Sequence, residues 1–151
     1  MKLKKVLILH GANLNFLGKR DSKHYGHLTL SELEQLTAEA LMQYQVSLCA
    51  YQSNHEGALI DTLQAEAAEC MGLIINPGAF SYSGYALHDA ILDSQLPTIE
   101  VHLSAIEQRE TWRQQSVIAP ACLTSISGKK EQGYLDAVAR LMQHLLISAN
   151  K

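Results

Sequence analysis

Arg20 and Tyr25 lie five residues apart and set a guanidinium within reach of a phenol. A free phenol ionises near ~10 and a neighbouring cation favours its anion, which makes Tyr25 a candidate general base. Glu100 and His102 are two residues apart, a spacing that puts both side chains on one face of a strand. A carboxylate beside an imidazole fixes its tautomer and supports proton donation, so His102 is the candidate acid and Glu100 its support. Asn13 and Asn76 each follow an apolar run and can orient a water or a substrate hydroxyl. A plainer reading stands beside this one. In it Tyr25 packs its ring at the mouth of the sheet, Arg20 is a solvated loop charge, His102 bonds backbone at a strand end, and the asparagines only form turns.

The elements that must position these residues alternate along the whole chain. The apolar run 6–9 reads as a buried strand and is followed by a polar loop, 10–26, that is too well equipped to be a mere connector. Thr29 and Glu32 have the form of a capping box, and Leu33, Leu36, Ala40, Leu41 and Tyr44 repeat at helical spacing. A strand at 46–51 and a helix at 58–70 follow, then a strand at 73–75 broken by Pro77 and Gly78 before a helix at 84–94. A fourth strand is predicted at 98–103, a short charged helix within 104–115, a fifth strand around 122–126, and a last helix from about Gly133. Strand–helix alternation with near-continuous apolar strands implies a parallel sheet covered on both faces, a flavodoxin-like α/β fold of five strands in a single domain, 1–151. Ligands of such sheets bind outside the carboxyl ends of the strands, so the loops after strands one, three and four should meet.

At 151 residues and 47% apolar content the chain can bury one core. A net charge of -3 argues against nucleic acid or an anionic membrane as a general partner. Cys49, Cys70 and Cys122 are widely spaced with no CxxC pair, which predicts buried reduced thiols rather than disulfides or zinc. The start, MKLKKVLIL, is too short in apolar residues for a signal peptide and no segment has the length of a membrane span, so a soluble cytoplasmic protein is expected. GxGxxG, GxxxxGK[ST] and GxSxG are absent, which weakens dinucleotide, P-loop and hydrolase readings. His88 and Asp89 are adjacent on a helix and point apart, a poor start for a metal site.

Four segments in order carry a resemblance: GANLNFLGKRDSKHYG, QSNHEGALID, NPGAFSYSGYALHDA and PTIEVHLS, with RETWR and GYLDA later. Through them the chain resembles the type II 3-dehydroquinate dehydratases over nearly its whole length. The resemblance implies removal of water from 3-dehydroquinate by trans elimination through an enolate, with no cofactor and no metal. It implies Tyr25 as proton acceptor, Arg20 as the cation favouring the phenolate, His102 as proton donor, Asn13 orienting a water and Glu100 supporting His102. It places Asn76, Tyr82, Leu103, Ser104 and Arg113 in substrate binding. Asp89 matches a position that reaches a neighbouring subunit's site, so a homo-oligomer, a dodecamer of trimers, is implied.

The chain departs from the family pattern at Ala12, at Asp21 and Ser22, at Tyr82, Ser83 and Gly84, at Ala105, and at Gln114 and Gln115. Tyr82 stands where a histidine is usual and is expected to reshape the hydroxyl-binding end of the pocket. Two rivals remain open: a non-catalytic flavodoxin-like homologue that binds a small carboxylate, and a dehydratase for another cyclic hydroxy ketone acid. Keeping both a base and an acid speaks against the first, since binding needs neither.

Overall fold

The computed structural model describes residues 4–151, which form a five-stranded parallel sheet in the order β2-β1-β3-β4-β5. The strands are β1 (Lys5–His10), β2 (Ser47–Gln52), β3 (Gly72–Asn76), β4 (Thr98–Val101) and β5 (Thr124–Ile126). The helices are α1 (Ser22–Tyr25), α2 (Leu30–Met42), α3 (Glu56–Glu66), α4 (Tyr85–Ser94) and α5 (Glu131–Ala149). The expected doubly wound α/β architecture is therefore observed. Among the described residues no helix is long and apolar enough to cross a membrane.

Side-chain alternation along the strands splits the core in two. Val6, Ile8, Ile74 and Ile99 face α2 and α5, where Leu33, Leu41, Val138 and Leu141 meet them. Leu7, Leu9, Leu73 and Ile75 face α3 and α4 through Leu59, Leu63, Leu87 and Ile91. Each such buried aliphatic contributes about 1.5–3 kcal/mol relative to exposure, which is why the central strands are apolar on both faces. β2, at the sheet edge, keeps Ser47, Ala50 and Tyr51 exposed.

α2 begins as its sequence predicts. Thr29 Oγ1 accepts the Glu32 N–H at 3.2 Å and donates to Glu32 Oε1 at 3.1 Å, a reciprocal cap on the first turn. Several expectations need correction. The helix expected at 58–70 is α3 followed by a 3-10 turn, Ala67–Glu69. The charged stretch 104–115 is not one helix but two 3-10 turns, Ile106–Gln108 and Thr111–Arg113, with Arg109 bonded to Tyr25 and Glu107 accepting from Ser127. The cysteines are free, as expected, but only partly buried. Desolvation pushes Cys70 up to about 11 and Cys122 up to about 12, so both stay protonated and weakly nucleophilic near neutral pH.

Two glycines bring the loops at the carboxyl end of the sheet together. A Cβ on Gly11 would lie 2.0 Å from the Pro77 carbonyl oxygen, and one on Gly78, whose φ is +56°, would lie 2.7 Å from that of Ala12. Gly11 N–H also donates to the Asn76 carbonyl at 2.7 Å. The loops after β1 and β3 are thus in backbone contact, and only glycine permits the approach.

Candidate active site

The loops after β1, β3 and β4 do meet, around a cleft of about 140 Å³. From the first loop come Asn13, Arg20 and Tyr25; from the end of β3 come Asn76 and Tyr82; from beyond β4 come His102, Leu103 and Ser104. Arg109 and Arg113 close it from the two 3-10 turns. With Arg20 that makes three arginines, and among the described residues no carboxylate lines the cleft, so the site favours an anionic ligand.

Tyr25 ends α1, a single turn capped by Asp21, whose carboxylate accepts the Lys23 N–H at 3.0 Å. The Arg20 guanidinium carbon lies 3.7 Å from the centroid of the Tyr25 ring, stacked on its face. Arg20 therefore approaches the π-system rather than the hydroxyl. The hydrogen bond to the phenol oxygen comes from Arg109 Nη1, at 3.1 Å. Burial lowers the Arg20 pKa from its ordinary value, Tyr25 opposes that shift, and Arg109 and Arg113 add to it. A site that gathers three cations around one phenol favours negative charge on a ligand beside it.

The Glu100–His102 pair is buried. His102 Nε2 lies 2.6 Å from Glu100 Oε2, and both side chains are nearly or fully inaccessible. β4 ends at Val101, short of the predicted 103, yet His102 N–H still donates to the Ile126 carbonyl at 2.8 Å. The strand geometry thus extends far enough to keep Glu100 and His102 on one face. Leu103 and Ser104 are clamped next, their carbonyls accepting N–H bonds from Lys130 and Gly128 at 3.1 Å each. Glu100 itself does not line the cleft; it sits behind His102 and holds the ring, which leaves Nδ1 for a ligand.

Ser116 completes this arrangement. Its hydroxyl donates to Glu100 Oε2 at 2.7 Å and accepts the N–H groups of Ile118 and Ala119 at 3.1 and 3.2 Å. Ser116→Ala leaves those groups without their partner, and the expected result is a loss of about 1–3 kcal/mol, a fall in Tm of roughly 5 °C. Thermal unfolding checks this, and an unchanged Tm would show that Ser116 is not needed to seat the carboxylate.

Asn13 sits at φ 69°, a left-handed position that asparagine tolerates, and its N–H donates to Asn54 Oδ1 at 2.9 Å. Gln52 Nε2 reaches the same oxygen at 3.2 Å and the Gly11 carbonyl at 3.2 Å. The loop after β2 is therefore a buttress for the first loop. Tyr82 lines the cleft with its ring edge-on to Trp112, centroids 5.0 Å apart at 89°, while Arg113 stacks on Trp112 at 4.1 Å and pairs with Glu110. That hydrogen bond holds the Glu110 carboxyl below its usual range. At Gly84 a Cβ would meet the Phe80 carbonyl at 2.6 Å, which accounts for glycine there.

Most residues singled out from the sequence converge on the cleft. Asp89 does not: it is exposed on α4, outside the lining. Arg109, Trp112, Ser116 and Asn54 were not assigned roles from sequence. The RETWR stretch pointed to Arg109 as part of a pattern, but its contact with Tyr25 spans 84 positions and no local spacing announces it.

Residues 4–142 match the sequence model of a family described as dehydroquinase class II. The chain is 48% identical to the 3-dehydroquinate dehydratase of Roseiflexus castenholzii over 138 residues, 91% of this chain and 88% of that one. It is 46% identical to that of a Nostoc species over 140 residues, 93% of this chain and 95% of the relative. Among solved structures, the type II dehydroquinase of Butyrivibrio crossotus superposes with a TM-score of 0.88 at 38% identity, covering 91% of this chain and 97% of that chain. With the cleft, its residue set and these likenesses in agreement, the chain belongs to the class II dehydroquinases.

Proposed function

We propose that Tyr25 and His102 divide the work of removing water from 3-dehydroquinate to give 3-dehydroshikimate, the reaction named by the chain's relatives. The observation that carries this division is that a phenol held by Arg109 and an imidazole held by Glu100 line the same cation-rich cleft. A proton next to a ketone is weakly acidic, and hydroxide is a poor leaving group, so the elimination needs a base at one carbon and an acid at the other. Tyr25, as phenolate, takes the α-proton, and the electron pair moves onto the ketone oxygen as an enolate. Asn13 orients a water at that oxygen. The enolate then collapses, the carbon–oxygen bond breaks, and the departing hydroxyl takes a proton from His102 and leaves as water. One proton arrives on Tyr25 and one leaves His102, so transfer of a proton between them restores the site.

Arg20, Arg109 and Arg113 hold the carboxylate and the negative charge that develops on the ring, which is where preorganised cations lower the barrier most. Glu100 orients His102 and offsets the charge of its doubly protonated form. Asn76, Tyr82, Leu103 and Ser104 bind the ring and its hydroxyls. Asp89, exposed on α4, is assigned to a neighbouring subunit's site within a cytoplasmic dodecamer of trimers.

The direct test is to add 3-dehydroquinate to the purified protein and follow the ultraviolet absorbance of the conjugated product. Rising absorbance is expected without added metal or cofactor. A folded protein that binds the substrate and leaves the absorbance flat would favour a binding-only homologue. Light scattering checks the dodecamer.

A further inference from the structure

The Asn76 side chain, in the cleft, is bonded at both ends by the protein. Its Oδ1 accepts the Gly78 N–H at 3.1 Å, and its Nδ2 donates to the Tyr134 hydroxyl oxygen at 2.9 Å. The first bond settles the amide's orientation, because turning it over would set an N–H against the Gly78 N–H. The second then uses one of the two Nδ2 hydrogens and leaves the other for a ligand.

Tyr134 lies on α5, is fully buried and does not line the cleft. Its helix sits close on the sheet: a Cβ on Gly133 would come within 3.3 Å of Val101, and one on Gly72 within 2.9 Å of Leu141. Behind its ring is His10, also fully buried, with ring centroids 6.4 Å apart. His10 Nε2 in turn lies 3.1 Å from Glu34 Oε1 on α2. The phenol is thus packed tightly between sheet and helix, beside a buried imidazole whose two ring nitrogens make no hydrogen bond among the described residues.

We infer that Tyr134 is a positioning residue for the dehydration: it fixes the Asn76 amide so that a single N–H is presented to an oxygen of the bound substrate. This rests on the reading of the cleft given above and extends it to a residue of the opposite layer. Burial drives the Tyr134 hydroxyl well above the ordinary phenol range, opposed by the Asn76 hydrogen bond and reinforced by Glu34. It therefore stays protonated at working pH and acts as a fixed dipole.

A double-mutant cycle tests this with Tyr134→Phe, Asn76→Ala and the pair. Tyr134→Phe is expected to raise KM for 3-dehydroquinate about tenfold with a smaller fall in kcat, because one buried bond is lost and the Asn76 amide is then held through its Oδ1 alone. The shape of the pH profile of kcat is expected to stay as in the wild type. Placed on Asn76→Ala, the same substitution should cost nothing further in kcat/KM. Wild-type KM in Tyr134→Phe, or a full multiplicative loss in the double variant, would overturn the assignment and make Tyr134 part of the core alone. Product affinity by calorimetry, on variants whose melting shows them folded, repeats the cycle without turnover. An inactive wild type would count against the proposed reaction, while the calorimetric cycle would still decide the role of Tyr134.

Discussion

Tyr25→Phe is expected to fold normally and to lose roughly 10²–10⁴-fold in kcat, the range a positioned acid or base contributes. The substitution keeps the ring on which Arg20 stacks and removes only the oxygen that Arg109 holds at 3.1 Å. Substrate affinity should change little, because Arg20, Arg109 and Arg113 all remain in the lining. The test is steady-state kinetics beside a melting curve. A variant that keeps kcat within tenfold of wild type would mean that another group takes the proton, and the assignment of base and acid would have to be redrawn.

Gly11→Ala is expected to damage fold and site together. Its methyl carbon would sit 2.0 Å from the Pro77 oxygen and 2.5 Å from the Pro77 carbonyl carbon, both backbone atoms that no rotamer can move. Relief requires the loops after β1 and β3 to separate and the 2.7 Å bond from Gly11 to Asn76 to stretch. A loss of about 3 kcal/mol or more follows, which lowers Tm by roughly 10 °C. Because Asn13 and Asn76 sit on the two separated loops, a shift of ~1 Å would also lower kcat/KM by roughly 10²-fold. Thermal unfolding and kinetics on one preparation check both. A normal Tm would show that the Pro77 turn can yield.

What could be seen in the sequence is what obeys a short period. Glu100 and His102 share a face because they are two apart, and the structure has them bonded at 2.6 Å. Thr29 and Glu32 declare the start of α2 because capping acts over three residues. The convergence of three loops follows from the alternation of strands and helices, since a parallel sheet puts all those loops at one end. Arg109 and Tyr25, 84 positions apart, have no such signature, and neither does the 41-residue link from Asn13 to Asn54. The stretch 104–115 misled for a related reason. Its charges look like a solvated helical face, yet Arg109 and Arg113 turn inward to the cleft, and the backbone breaks into short turns to allow it. The edge position of β2, which leaves half of it in water, has no signature in the strand pattern of 46–51.

Glu100 is fully buried, and its second oxygen has no hydrogen-bond partner among the described residues. A buried carboxylate with one unsatisfied oxygen carries a desolvation cost that the bonds to His102 and Ser116 offset only in part, and an apolar side chain placed there alone would strand both of those partners. Residue 100 therefore offers no simple route to greater heat resistance, and stabilising substitutions of this scaffold are to be sought in the helices rather than behind His102.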